Sequence, residues 1–325
     1  MTPSAHFSAH FSAHFWTFWP VLKHRWRPQL GPDHDEALAW TVDDRLHGPI
    51  GLNGRLTRQD PTRLLVLVHG LGGCTESLYM LRAARHAVHG LGLSCLRLNM
   101  RGSDRRGEDI YHAGLVADLH HVLTSPPLAG FEDVYVLGFS VGGHVVLRYA
   151  TGATDPRLRA VASVCSPLDL SATVEDFDRP ANRIYRRYIL TGLKELYGAV
   201  AARREVPISV DRIRRVRFLR EWDSLTVVPR FGFESVDDYY RQAGVYAHLH
   251  TLKVPALLVA AEGDPMVTSR SIRRGLERSR AHDLEVRWQP RGGHVGFPAD
   301  LDLGLDARLG LDPQVQTWLL ENAKS

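Results

Sequence analysis

Three residue types at three separated places could together cleave an acyl bond. Ser140 lies in Gly138-Phe139-Ser140-Val141-Gly142, a G-x-S-x-G pentapeptide between the apolar run "VYVLGF" and the amphipathic run "VGGHVVLRYA". A serine hydroxyl is almost un-ionised at neutral pH, so as a nucleophile it needs a base, and the base needs an orienting carboxylate. Asp264 ends "LLVAAEGD", and His294 stands in "RGGHVGF" after "LEVRWQP", which gives the chain order Ser, Asp, His. A developing oxyanion needs two N–H donors: Val141 directly follows the serine, and Leu71 follows His69-Gly70 in "VHGLGGCTES". The pentapeptide alone is a weak signal, and a plain glycine-rich turn or phosphate loop competes with it. A Walker loop is excluded because its lysine is missing.

With 17 histidines in the chain, position has to do the sorting. His120, His121, His248 and His250 fall in or beside helical patterns, whereas His294 is framed by Gly292, Gly293 and Gly296 on a strand-end loop. For the acid, Asp169 in "CSPLDL" also follows a strand and Glu262 precedes the favoured Asp264; Pro265 gives Asp264 a fixed turn.

Elements that bring such residues together must be strands ending on one edge. From Leu64 the chain alternates apolar runs with amphipathic segments: "LLVLVHG" before a helix over 77–89, "LSCLRLNMRG" before one over 113–123, then "VYVLGFS", "RAVASVCSP", "VPALLVAAEGD", a helix over 269–278, "LEVRWQP" and a last helix over 313–322. Continuous apolar strands separated by helices predict an α/β fold, a parallel sheet covered on both faces. Residues 169–252 have another texture, rich in Arg, Tyr and Phe at helical spacing, and read as a helical lid inserted into the sheet protein. The expected organisation is an N-terminal arm over 1–30, a core over 31–168 and 253–325, and the lid over 169–252.

Composition narrows the classes further. At 325 residues with 44% apolar content and mean hydropathy −0.19, the chain can bury a large core, so disorder is not expected. The net charge of +4 comes from 40 bases against 36 acids, a mild bias that does not call for nucleic acid. Arginines crowd between Arg203 and Arg220, but Glu205, Asp211 and Glu221 interleave, as on a solvated helix face. Cys74, Cys95 and Cys165 lack paired spacing and read as buried thiols in a reducing compartment. No run approaches the roughly 20 apolar residues of a spanning helix, and the N-terminus is a poor signal peptide, so the expected location is the cytoplasm. "SAHF" repeats three times over 4–15; helical spacing would align His6, His10 and His14 for a metal or a membrane surface, but a surface arm is the plainer reading.

With these residues placed, the chain resembles the α/β-hydrolases, specifically the YheT-like branch with its related eukaryotic lipid-active esterases. The resemblance is carried by "HFWTFWPVL", "VLVHGLGGCTES", "LNMRGSDRR", "GFSVGGHVVLRY", "CSPLDLSAT", "RFLREWDSLTVVPRFGFESVDDYYRQA", "VPALLVAAEGDPMV" and "GGHVGF". It implies an eight-stranded, mostly parallel sheet with a helical cap, and a Ser140, Asp264, His294 triad. It also implies that Glu221, Trp222, Asp223 and Tyr239 fix the cap over the site. The chain departs from the family at Phe15 and Trp16, where polar residues are usual. The expected activity is hydrolysis of short or medium-chain hydrophobic carboxylic esters without cofactor or metal. Lipase or phospholipase, thioesterase and acyltransferase are rivals, as is a binding protein with a vestigial triad.

Overall fold

Alternate residues of the central strands point into two separate cores, and this sets the architecture. In β3 (Arg63–Val68), Leu64, Val66 and Val68 face one core while Leu65 and Leu67 face the other. The same division holds in β5 (Asp133–Phe139), where Val134 and Val136 oppose Tyr135, Leu137 and Phe139. A strand buried on both faces is apolar at most of its positions, which explains the nearly unbroken runs. Residues 13–17, 31–44, 46–279 and 283–323 are described by this computed structural model. The reading of the SAHF repeats therefore lies, apart from Ala13, His14 and Phe15 of the third, outside the described residues.

The remaining strands are β1 (Glu36–Asp44), β2 (Gly48–Thr57), β4 (Ser94–Asn99), β6 (Leu158–Val164), β7 (Ala256–Ala261) and β8 (Leu284–Gln289). They form one sheet of eight in the order β1-β2-β4-β3-β5-β6-β7-β8. Only the β1–β2 and β2–β4 pairs are antiparallel. From β3 the chain steps to β4 on one side and then to β5 on the other, so the strand order reverses between β4 and β5. In an open α/β sheet a ligand crevice opens at such a switch point, beyond the carboxyl ends of the strands.

Helices α1 (Leu78–Arg85, continued by a π-turn His86–Gly90) and α11 (Leu311–Glu321) cover one face through Met80, Ala83, Val315 and Trp318. The other face is packed by α2 (Val116–Leu123) and α3 (Val141–Ala150). Between β6 and β7 the chain is helical: α4 (Leu170–Phe177), α5 (Arg183–Ala201), α6 (Val210–Arg214), α7 (Leu219–Leu225), α8 (Val227–Phe231) and α9 (Val236–Ala243); α10 (Ser269–Arg278) follows β7. Helix α5 buries Tyr185, Ile189, Leu193, Leu196 and Val200, a stripe at spacings of three and four.

Two buried contacts fasten this helical segment to the rest of the chain. Arg101, in the loop after β4, is 2% exposed and holds Asp44, Asp109 and Asp118; Arg230 of α8 reaches the other oxygen of Asp109 at 2.5 Å. The Tyr239 hydroxyl of α9 accepts the Ala113 N–H at 3.1 Å. Trp222 is buried, and Asp223 accepts from the Tyr240 hydroxyl at 2.7 Å, whereas Glu221 serves locally by accepting the Arg217 N–H.

Candidate active site

Ser140 is the single residue between β5 and α3, and its backbone is strained at φ 52° and ψ −124°. A non-glycine residue held there costs on the order of 1–3 kcal/mol and persists only where its surroundings over-determine it. Its N–H donates to Val164 O at 2.8 Å, while its carbonyl accepts from His144 N at 3.1 Å and opens the helix. The turn is tight enough that a Cβ on Gly138 would overlap Gly142 O and Gly143, and one on Gly142 would overlap the Val68 and His69 carbonyls. Glycine at both flanks is therefore a steric requirement. Val141, first in α3, has an N–H with no intrahelical acceptor.

The loop after β3 lies against this elbow: a Cβ on Gly70 would stand 3.0 Å from Ser140 Cβ and 3.7 Å from its Oγ. Its amides are nearly all used. Gly70 N–H donates to the Tyr79 hydroxyl at 3.0 Å, Gly72 N–H to the Tyr111 hydroxyl at 2.7 Å, and Gly73 N–H to Gly70 O at 3.0 Å. Among the described residues none accepts the N–H of Leu71. Two tyrosines and a turn thus consume the neighbours and leave that one donor open beside the serine. Neither tyrosine is evident from the sequence pattern.

At the far strands, Asp264 follows β7 and His294 follows β8. His294 Nδ1 and Asp264 Oδ2 are 2.9 Å apart, with the two residues 8% and 3% exposed. The other carboxylate oxygen accepts Met266 N–H at 2.8 Å and Val267 N–H at 3.0 Å. A carboxylate only accepts, so the pairing puts the imidazole proton on Nδ1 and leaves Nε2 with its lone pair. The competing acids lie elsewhere: Asp169 caps α4 and binds Arg278, and Glu262 pairs with Arg273 at the surface.

The end of β6 ties the two halves together. Val164 O holds the Ser140 amide, and the next residue, Cys165, sets its Sγ 3.6 Å from Gly293 O. No hydrogen bond joins Ser140 Oγ to His294 among the described residues. Cys165 itself adopts φ 51° and is fully buried. Its Sγ and the ligand atoms of Asp264 and His294 lie within 4.8 Å of one another, a donor set suited to zinc. Burial, followed by the charge of Asp264, pushes its thiol well up, so the metal-free thiol is protonated and a poor nucleophile. Sequence reading treats Cys165 only as a buried thiol, although it too follows a strand end. Cys74, expected to be buried like the others, is partly exposed because it stands in the loop after β3 rather than in a strand.

Helix α5 stands beside two parts of this arrangement. Tyr185 of α5 has its phenol pushed up to about 12, by burial first and by Asp264 second. Ile189, one turn further, approaches Gly72. Among the described residues no helix is long and apolar enough to cross a membrane.

Comparison with known proteins agrees with this architecture. The Escherichia coli (strain K12) protein named "Putative esterase YheT" is 29% identical over 265 residues, which is 78% of this chain and 76% of YheT. The Mus musculus protein named Phospholipase ABHD3 is 29% identical over 248 residues, 72% of this chain and 58% of its own length. Esterase Pf2001 of Pyrococcus furiosus shares the fold with a TM-score of 0.51 over 82% of this chain and 90% of its own, at 13% identity. Residues 65–302 match the Alpha/beta hydrolase family. The chain belongs to that family, in the branch that contains YheT.

Proposed function

We propose that this hydrolase cleaves carboxylic esters with hydrophobic, short to medium acyl chains through an acyl-enzyme on Ser140. The carrying observation is the strained Ser140 at the sheet's switch point beside the one open amide of the 70–73 loop, Leu71. Ser140 Oγ attacks the ester carbonyl while His294 Nε2 takes its proton. Asp264 holds the Nδ1–H tautomer and stabilises the imidazolium. The N–H groups of Leu71 and Val141 bind the oxyanion. His294 returns the proton to the departing alcohol, and the Ser140 ester remains. Water, deprotonated by His294, then releases the carboxylic acid and restores the serine. The Ser140–His294 hydrogen bond forms in the substrate complex, where catalytic contacts commonly tighten.

The helical insertion acts as the lid in this reading. Ile189 and Tyr185 give it an apolar underside, which fits a hydrophobic acyl group. The phospholipase name of the mouse relative favours a second reading in which the acyl group comes from a phospholipid. Thioesterase and acyltransferase use the same residues. The three unpaired cysteines fit a cytoplasmic setting. The chemistry as written needs neither metal nor cofactor.

Reaction with a fluorophosphonate, followed by a panel of acyl-chain lengths on ester, phospholipid and thioester substrates, tests the proposal. A Ser140 adduct and a fall in kcat of about 10⁶ for Ser140→Ala or His294→Ala are expected. Full esterase activity in folded Ser140→Ala would refute it, and no adduct on the wild-type protein would favour a binding protein with a vestigial site.

A further inference from the structure

The loop that carries His294 is poorly determined by its own sequence. Gly292 sits at φ 154° and Val295 at φ 51°, so the histidine stands between two residues with unusual backbones. Within the loop one backbone bond, Gly293 N–H to Gly296 O at 2.8 Å, provides closure. The carboxylate of Asp264 fixes the imidazole from its far end, and a ring held at one end by a hydrogen bond still needs a fixed Cα.

That second fixture comes from outside the core. The helical turn 13–17 lies directly on the loop: a Cβ on Gly293 would overlap Ala13 O and Thr17 Oγ1, and would stand 2.7 Å from Thr17 N. Glycine at 293 is what lets the turn come this close. The Thr17 hydroxyl donates to Ala13 O at 2.8 Å and accepts the His294 backbone N–H at 2.9 Å. The single proton is committed to Ala13 O, which fixes the hydroxyl rotor with a lone pair toward the His294 N–H, and the Tyr185 phenol hydrogen-bonds the same hydroxyl. The same turn reaches the insertion: His14 Nδ1 lies 2.5 Å from the Tyr185 hydroxyl, and the two rings stack with centroids 5.6 Å apart. The turn is thus wedged between α5 and the His294 loop, 48 residues ahead of the start of the family match at residue 65.

We propose that Thr17 is a positioning residue for His294, holding its backbone so that Nε2 can reach Ser140 Oγ. This rests on the triad reading above. Thr17 touches no reacting atom; it acts by limiting where the imidazole can sit. A displacement of about 1 Å at a catalytic group can cost about 10² in rate, so losing this tether acts on turnover more than on binding.

The comparison is between Thr17→Val, which keeps the shape without the hydroxyl, and Thr17→Ser, which keeps the hydroxyl without the methyl. With an ester substrate, Thr17→Val is expected to lower kcat between about 10-fold and 10²-fold with KM within about twofold. Thr17→Ser is expected to restore kcat to within about threefold of wild type, with melting temperatures alike. Independently of any substrate, hydrogen exchange at the His294 amide should be protected in the wild type and in Thr17→Ser, and fast in Thr17→Val. Thr17→Ala replaces the valine variant if that does not fold. Wild-type kcat in the valine or alanine variant, an equal loss in Thr17→Ser, or unchanged His294 exchange overturns the proposal. Wild-type protein that neither hydrolyses esters nor labels at Ser140, yet shows the expected exchange pattern, sinks the esterase reading and leaves the tether standing.

Discussion

His69 Nε2 accepts the backbone N–H of Met100 at 3.1 Å while its Nδ1–H donates to Gly70 O at 2.8 Å. The ring therefore braces the loop beside Ser140 against the loop after β4, and it can do so only as the neutral Nδ1–H tautomer. Burial pushes its pKa down to about 4, and His112, also buried, goes down to about 3. A folded value below the unfolded one means that the unfolded chain binds more protons as pH falls. The stability that neutral His69 contributes is complete above about pH 6.5 and is lost toward pH 4, by about 3 kcal/mol. Urea unfolding at pH 7.5, 6 and 5 should show this fall, with a shallower slope in His69→Asn. An identical slope in the variant would show that His69 does not carry it.

Tyr111 offers a cleaner probe of the oxyanion role proposed for the 70–73 loop than any change at Leu71, whose N–H only proline removes. Tyr111→Phe keeps the ring, which packs edge-on against His69 with centroids 5.6 Å apart, and deletes the acceptor for Gly72 N–H. A buried unpaired amide costs about 1–3 kcal/mol, and the loop can relieve it by shifting. The expected result is a kcat loss of about tenfold, in proportion to 1–2 kcal/mol of transition-state stabilisation, with fluorophosphonate labelling slowed to match. Unchanged kcat would mean that the loop keeps its shape without this bond.

Much of this arrangement is legible in the sequence, for reasons that specific residues make plain. Strands β3, β5 and β7 are almost unbroken apolar runs that stop at polar residues, so their ends, and with them Ser140 and Asp264, can be placed on one edge, and the alternating β8 run puts His294 on the same edge. The periodicity read from Leu64 onward leaves out β1 and β2. β1 is largely exposed and buries only Trp40 and Val42, and β2 is interrupted by Gly48, Pro49, Gly51, Asn53 and Gly54, so neither gives an unbroken apolar run; antiparallel pairing down to β4 brings both into the sheet. Thr17 is hidden for another reason. It is 277 residues from His294 in sequence, and no local pattern in "HFWTFW" signals the contact. The choice between Asp264 and Asp169 is likewise tertiary, since both follow strands and only the fold sends Asp169 to cap α4.

Asp223 and Tyr240 give the insertion an opposite pH response. The Tyr240 hydroxyl lies 2.7 Å from Asp223 Oδ2 on the buried side of α7, with Asp178 and Arg220 nearby, and burial pushes the carboxyl up to about 7. Here the folded value exceeds the unfolded one, so the contribution is complete below about pH 4 and is lost as pH rises through 7. Asp223→Asn keeps an acceptor for Tyr240 and carries no charge. Its stability relative to wild type should therefore improve by about 1 kcal/mol per pH unit between pH 4 and 7, then level off. Unfolding free energies of both proteins at pH 5, 6, 7 and 8 measure this directly. A difference that stays constant over that range would mean that Asp223 is ionised throughout, and that Arg220 rather than burial governs its charge.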